Sequence, residues 1–162
     1  MCTSSKKTTQ LLNDEPPRHR RALGYQSRSA TWRSMTSVYI DTSAAVKLLV
    51  EEAESAALAQ YLDQPDVETV ACLLLETELR RFAVTLEIPQ SEVTAILDTT
   101  SLYEMPRSLY YEAGILAGRS LRSLDALHLT AAVRLGADAV VCYDTRMRDS
   151  AAELGLEVLA LH

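Results

Sequence analysis

Residues 37–49 read SVYIDTSAAVKLL, and the change of pattern within them decides the fold. A short β-branched and aromatic run, typical of a buried strand, ends at Asp41. Thr42 and Ser43 then offer an N-cap for a helix that we predict from Ala44 to Leu62. Asp41 is therefore expected at the carboxyl end of a strand, where the chain turns into a helix.

The same succession of short strands and longer helices continues to the end of the chain, as in an alternating α/β domain. These strands are apolar nearly throughout, which favours a mainly parallel sheet covered by helices on both faces. Gly136 is a candidate C-cap. The predicted strands are 37–41, 68–72, 102–105, 139–143 and 156–160, and the further helices are 74–86, 91–99, 108–117, 123–135 and 145–154.

Composition divides the chain into a basic N-terminal extension, residues 1–37, and an acidic domain, residues 38–162. The extension holds seven basic and two acidic side chains and no apolar periodicity, so we predict that it is disordered. The domain holds nine basic and 20 acidic side chains, a net charge of −11. Met35 is a second candidate start, so the extension is either foreign to the natural chain or a basic arm that touches RNA or a partner.

Several classes of protein do not fit this composition. No run approaches the roughly 18 apolar residues of a membrane span, and the N-terminus lacks the apolar core of a secretion signal. Cys2, Cys72 and Cys142 form no C-x-x-C pair that could clamp zinc or act as a redox dithiol. We therefore expect a cytoplasmic protein without membrane contact, with Cys72 and Cys142 as small core residues.

Two carboxylates mark the edge where an open α/β sheet binds ligands. Asp41 and Asp144 each end a predicted strand, so both should point to the carboxyl edge of the sheet. Either acid alone could simply cap the helix that follows it. Their coincidence at two strand ends favours a shared site.

Two further carboxylates lie in helices with apolar neighbours. Glu78 follows LLLET, and Asp125 stands within LDALHL, where an uncompensated buried Asp would be costly. A metal ion would compensate Asp125, as would an ion pair with Arg81 or Arg122. A set of carboxylates without His or Cys ligands matches Mg²⁺ or Mn²⁺ rather than zinc, and such ions support hydrolysis of phosphate esters. An acidic domain that acts on a polyanion also needs cations to offset repulsion.

The chain resembles a PIN domain, and specifically the VapC toxins of bacterial toxin–antitoxin pairs. The resemblance implies a PIN-like three-layer α/β/α fold and a Mg²⁺- or Mn²⁺-dependent endoribonuclease, usually dimeric and neutralised by a VapB-type antitoxin. The extension, residues 1–37, departs from the family pattern. Four segments carry the resemblance in order, namely YIDTSA (39–44), ELRR (78–81), LRSLDALHL (121–129) and YD (143–144) with the trailing LGLEVL (154–159).

Under this resemblance the family's metal-binding acids fall on four positions of the sequence, and its small hydroxyl falls directly after the first acid. The implied substrate is RNA, whose identity and cleavage sequence do not follow from these residues. The implied catalytic and metal-binding residues are Asp41, Glu78, Asp125 and Asp144, with Thr42 and the adjacent Ser43 in supporting positions.

Three other functions share some of these sequence features. A haloacid-dehalogenase-type phosphatase would have a second Asp two residues after the first, where Ser43 stands instead. A phospho-receiver domain would have a Lys at a late strand end, but the only Lys beyond the extension is Lys47. A PIN-like domain that binds RNA or protein without cleavage is opposed only by the presence of all four acids.

Two residues close to the four acids have other predicted roles. Glu76 is two residues from Glu78 and so faces about 200° away on a helix, where it is expected to be solvated or paired with Arg80. His128 follows Asp125 by three residues and could share its helix face. In an apolar run we interpret His128 as a satisfied core histidine rather than a general base.

Overall fold

A computed structural model describes residues 35–118 and 121–162, which form five strands and seven helices. The strands agree closely with the predicted ones, and the helix at 123–135 agrees residue for residue. The elements are β1 (Thr36–Ile40), α1 (Thr42–Leu49), α2 (Ser55–Leu62), β2 (Val67–Cys72), α3 (Leu74–Thr85), α4 (Gln90–Asp98), β3 (Ser101–Tyr103), α5 (Arg107–Gly114), α6 (Ser123–Leu135), β4 (Ala139–Val141), α7 (Thr145–Glu153) and β5 (Glu157–Leu159).

The five strands form one parallel sheet in the order β3-β2-β1-β4-β5. The prediction of a mainly parallel sheet is confirmed. Strand β1 lies at the centre, with Tyr39 opposite Val70 of β2 and Val140 of β4. The order runs outward in one direction from β1 to β3 and in the other from β4 to β5. The direction in which successive strands are added to the sheet therefore reverses between β1 and β4.

Successive side chains of β1 enter two different cores, as the alternation of a strand requires. Val38 and Ile40 pack with α1 to α4 on one face. Tyr39 packs with α5, α6 and α7 on the other face. Cys72 and Cys142 are buried in the second core, as predicted. The helices thus cover both faces of the sheet, and the predicted three-layer α/β/α fold is confirmed.

One predicted helix is wrong, because the segment from Ala44 to Leu62 forms two helices. Helix α1 ends at Leu49, and the Ser55 hydroxyl donates to the Val50 carbonyl oxygen (3.1 Å) and accepts from the Glu52 amide (2.8 Å). Lys47 forms ion pairs with Glu52 and Glu54, which also hold this turn. The apolar spacing continues through the break, so the pattern alone did not reveal it.

The domain begins slightly earlier than predicted. Strand β1 begins at Thr36, so Thr36 and Ser37 of the predicted extension belong to the sheet, and residues 1–34 lie outside the described residues. Gly136 adopts a left-handed conformation (φ 65°) as the C-cap of α6, as predicted. None of the helices in the described ranges has both the length and the apolar character to cross a membrane.

Candidate active site

Two of the predicted acids lie close together where the strand order reverses, between β1 and β4. Ligands of open α/β sheets bind beyond the carboxyl ends of the strands at such a reversal, because the following helices lie on opposite faces and leave a crevice. Asp41 directly follows β1, and Asp144 follows β4, its neighbour in the sheet. The helices that they begin, α1 and α7, pack on opposite faces. Both acids therefore lie at the carboxyl edge of the sheet, where the strand order reverses.

Asp41 is buried and is held by uncharged donors. Its side chain is 4% exposed, and its Oδ1 accepts from the Ser43 hydroxyl (2.8 Å) and the Ala44 amide (2.9 Å). The Cys142 thiol lies 3.4 Å from Oδ2. Burial raises the pKa of Asp41, although the bonds from Ser43 and Ala44 oppose the increase. A buried carboxylate without a cation among its hydrogen-bond donors is a favourable place for a metal ion.

The N-cap of α1 is Asp41, not Thr42 or Ser43 as the sequence suggested. Ser43 has a different role, because its hydroxyl accepts from the Tyr143 amide (2.9 Å) while it donates to Asp41. It thus joins the end of β1 to the segment after β4. Asp144 is likewise an N-cap, and its Oδ1 accepts from the Met147 amide (3.0 Å). Both acids therefore do cap the helix that follows them, and in each the capping bond uses Oδ1.

Glu78 extends from the second turn of α3 and meets residues from both helical layers. Its Oε2 accepts from the Thr42 hydroxyl (2.6 Å) and bonds to Nε2 of His128 (2.8 Å). Burial raises the pKa of Glu78, but the bonds from His128 and Thr42 outweigh burial, and the net pKa is lowered. Glu78 therefore stands ionised beside Thr42, the residue after Asp41.

His128 is the residue of this site that the sequence interpretation undervalued. It is buried, as predicted, with 3% exposure, and its Nδ1 lies 2.8 Å from the Tyr39 hydroxyl. Burial would lower the pKa of His128, but hydrogen bonding with Cys72 and Glu78 raises it to about 9. The bond to Glu78 was not predicted. The sequence feature that could have placed His128 at the site is its spacing of three residues from Asp125, which puts both residues on one face of α6.

Asp125 lies in the first turn of α6, where its Oδ2 accepts from the backbone amide of Arg122 (3.3 Å). Neither Arg122 nor Arg81 forms an ion pair with it in the part of the chain that the structure describes. The ion-pair alternative for Asp125 is therefore not observed. By contrast, the predicted pairing of Glu76 with Arg80 is confirmed (2.8 Å).

The four acids share one arrangement, because hydrogen bonds to the protein hold mainly one oxygen of each carboxylate. Across residues 35–118 and 121–162, the second oxygen of Glu78, Asp125 and Asp144 has no hydrogen-bond partner, and that of Asp41 has only the thiol contact. In the same ranges no three His, Cys, Asp or Glu side chains converge in a geometry that could hold a metal ion. The oxygen-only donor set nevertheless fits a hard divalent cation.

Comparisons with known proteins point to one family. Residues 38–153 match the model of the PIN domain family. Ribonuclease VapC46 of Mycobacterium tuberculosis (strain ATCC 25618 / H37Rv) is 37% identical over 128 residues, which is 78% of this chain and 98% of that protein. Ribonuclease VapC35 of M. tuberculosis (strain CDC 1551 / Oshkosh) is 35% identical over 130 residues, which is 76% of this chain and 96% of that protein.

A solved structure shares the fold at low sequence identity. VapBC2 from Rickettsia felis, crystallised with a DNA fragment from its promoter, matches with a TM-score of 0.62 and 13% identity. The match covers 78% of this chain and 100% of that chain. The family match extends over most of the domain and includes the positions of all four acids. The chain therefore belongs to the PIN domain family and, within it, to the VapC ribonucleases.

Proposed function

We propose that this protein is a metal-dependent endoribonuclease, the toxin of a type II toxin–antitoxin pair, and that its four acids bind Mg²⁺ or Mn²⁺. The observation that carries the proposal is the placement of Asp41 and Asp144 where the strand order reverses between β1 and β4. There the Ser43 hydroxyl bonds both to Asp41 and to the amide of Tyr143, the residue before Asp144. Glu78 is tied to the same place through Thr42. An acidic nuclease needs a cation-binding site of this kind, because cations must offset the repulsion between the acidic domain and RNA.

The ligands would be Asp41, Glu78, Asp125 and Asp144, through the carboxylate oxygens that the protein leaves without strong hydrogen bonds. When bound, the metal supplies an activated water and neutralises charge on the phosphodiester. The protein's own contribution is orientation. Backbone amides hold the three Asp side chains, and side chains hold Glu78, so that little reorganisation is needed when the cation and the phosphate arrive.

Cleavage of purified RNA tests this proposal directly. The protein is incubated with total RNA in Mg²⁺, in Mn²⁺ and in excess chelator, beside Asp41→Asn and Asp125→Asn variants of equal melting temperature. We expect internal cleavage with either metal, none with chelator, and none with either variant. Arg80→Gln, at an exposed ion pair on α3, is the matched control and should cleave normally. Cleavage by Asp41→Asn at the wild-type rate would refute the assignment.

The partner that we propose is a VapB-type antitoxin that inserts an arginine among the acids. The domain's charge of −11 and the acids at the carboxyl edge of its sheet favour a basic side chain, and a guanidinium can pair two carboxylate oxygens at once. Inhibition should then compete with metal. A second copy of the chain is a further proposed partner, supported by Tyr110, Tyr111 and Ile115 of the α5 region, which are 51%, 71% and 66% exposed.

We also propose that the protein acts in the cytoplasm. Residues 38–162, together with the start of β1, should be sufficient for cleavage. A chain beginning at Met35 keeps the whole of β1. Its cleavage rate and its inhibition by the antitoxin should equal those of the full chain. A faster rate after truncation would instead show that the basic extension occupies the acidic site in cis.

A further inference from the structure

Glu78 differs from the other three acids in how it is held. Asp41, Asp125 and Asp144 each accept from a backbone amide at the N-terminus of a helix, and that amide is part of the fold itself. Glu78 lies inside α3, where backbone amides are already used by the helix, and its longer side chain has more rotamers. Its carboxylate is held by the side chains of Thr42 and His128. Its orientation therefore depends on residues that are distant in sequence.

His128 is itself fixed on its other side. Nδ1 faces the Tyr39 hydroxyl at 2.8 Å, and that hydroxyl accepts from the backbone amide of Cys72 (3.3 Å) in β2. Nε2 faces Glu78, and an ionised carboxylate can only accept, so Nε2 must carry the proton. The imidazole is thus anchored to the central sheet by one nitrogen and donates to the site with the other.

We propose that His128 is a positioning residue that holds Oε2 of Glu78 and leaves Oε1 to bind the metal ion. The proposal rests on the metal-binding role of Glu78 given above. Partners of ligating carboxylates in other metal sites have this effect, because they fix the ligand before the metal arrives. Without the imidazole, Glu78 would keep one bond, from Thr42, and would sample more rotamers.

Two substitutions separate positioning of Glu78 from support of the core. In His128→Gln the amide nitrogen reaches the place of Nε2 and can still donate to Glu78. In His128→Asn the amide lies near the place of Nδ1, where it can bond to Tyr39 but not to Glu78. Mn²⁺ binding is measured by calorimetry without RNA. We expect His128→Asn to weaken Mn²⁺ affinity by about tenfold to a hundredfold, and His128→Gln to retain most of it.

Thr130→Val is the matched control on the same helix. The Thr130 hydroxyl is buried and has no hydrogen-bond partner within the described part of the chain, so its loss should leave Mn²⁺ affinity unchanged. A second measurement needs no His128 variant. In protein labelled with ¹⁵N-histidine, the Nε2 resonance of His128 should shift as Mg²⁺ is added, and this shift should disappear in Glu78→Gln.

The outcomes separate this proposal from the proposed function. If the wild-type protein neither binds Mn²⁺ nor cleaves RNA, the metal-dependent nuclease is wrong, and this proposal fails with it. If the wild-type protein binds Mn²⁺ and His128→Asn binds it equally well, only the positioning role is wrong. Equal losses in His128→Asn and His128→Gln would also overturn it, as would a His128 resonance that is insensitive to Mg²⁺.

Discussion

Asp144 has an observed role as the N-cap of α7 and a proposed role as a metal ligand. The two roles can be separated, because the cap uses one oxygen of a half-buried side chain. In Asp144→Asn the amide oxygen can still accept from the Met147 amide, so the cap remains while the negative charge is lost. In Asp144→Ala both are lost. Asn and Asp stabilise helix N-termini about equally, whereas Ala at that position costs about 1 kcal/mol. The two variants should therefore differ in stability but not in activity.

The expected difference can be expressed as a melting temperature. A domain of the length from Thr36 to Leu159 has an unfolding entropy of about 0.26 kcal/mol/K near 60 °C, so a loss of about 1 kcal/mol lowers the melting temperature by about 4 °C. Without metal, Asp144→Asn also removes a negative charge from the sheet edge that it shares with Asp41. Its melting temperature should equal or exceed that of the wild-type protein.

Both variants are melted in excess chelator, with unfolding followed by circular dichroism, and both are assayed for RNA cleavage in Mn²⁺. We expect cleavage to be lost in both and the melting temperature to fall only in Asp144→Ala. Equal melting temperatures for the Ala and Asn variants would refute the stabilising cap. Normal cleavage by Asp144→Asn would refute the need for its charge at the metal site.

Three further predictions follow from the same contacts. Mn²⁺ at 100 times its dissociation constant should stabilise the wild-type protein by about 2.7 kcal/mol and should not stabilise Asp41→Asn, as thermal melts can show. Ser43→Ala removes the acceptor of the Tyr143 amide and should lower stability by about 1–3 kcal/mol in urea titrations; an unchanged midpoint would mean that water replaces the hydroxyl. Changing the antitoxin's arginines to Ala should weaken both its affinity and its inhibition of cleavage, and unchanged affinity and inhibition would mean that the antitoxin covers the RNA path instead of occupying the acidic site.

Local sequence patterns predicted the elements that depend on local interactions. The apolar run before Cys142 predicted β4, and Gly136 marked the end of α6, because a left-handed C-cap favours glycine. The shared edge of Asp41 and Asp144 also followed, since parallel strands end at the same side of a sheet. Predicting that edge required only the directions of the strands, which follow from the alternation of strands and helices along the sequence.

The features that the sequence did not predict depend on particular pairs of side chains. The break between α1 and α2 relies on Lys47 bonding to Glu52 and Glu54 within an unbroken apolar pattern. The bond between His128 and Glu78 joins α6 to α3, and their 50-residue separation carries no periodic signal. The ion pairs of Lys47 are local, whereas the bond between His128 and Glu78 can form only once the fold has brought α6 beside α3.

The site therefore uses two different means of holding its acids, and they should respond differently to perturbation. A short Asp at a helix N-terminus is oriented by its own backbone, so its position should survive any change that leaves the local turn intact. Glu78 is oriented by Thr42 and His128, which belong to opposite helical layers. A relative movement of those layers would misplace Glu78 while leaving the capping Asp residues in position. Packing changes far from the site should therefore alter metal affinity mainly by changing the orientation of Glu78.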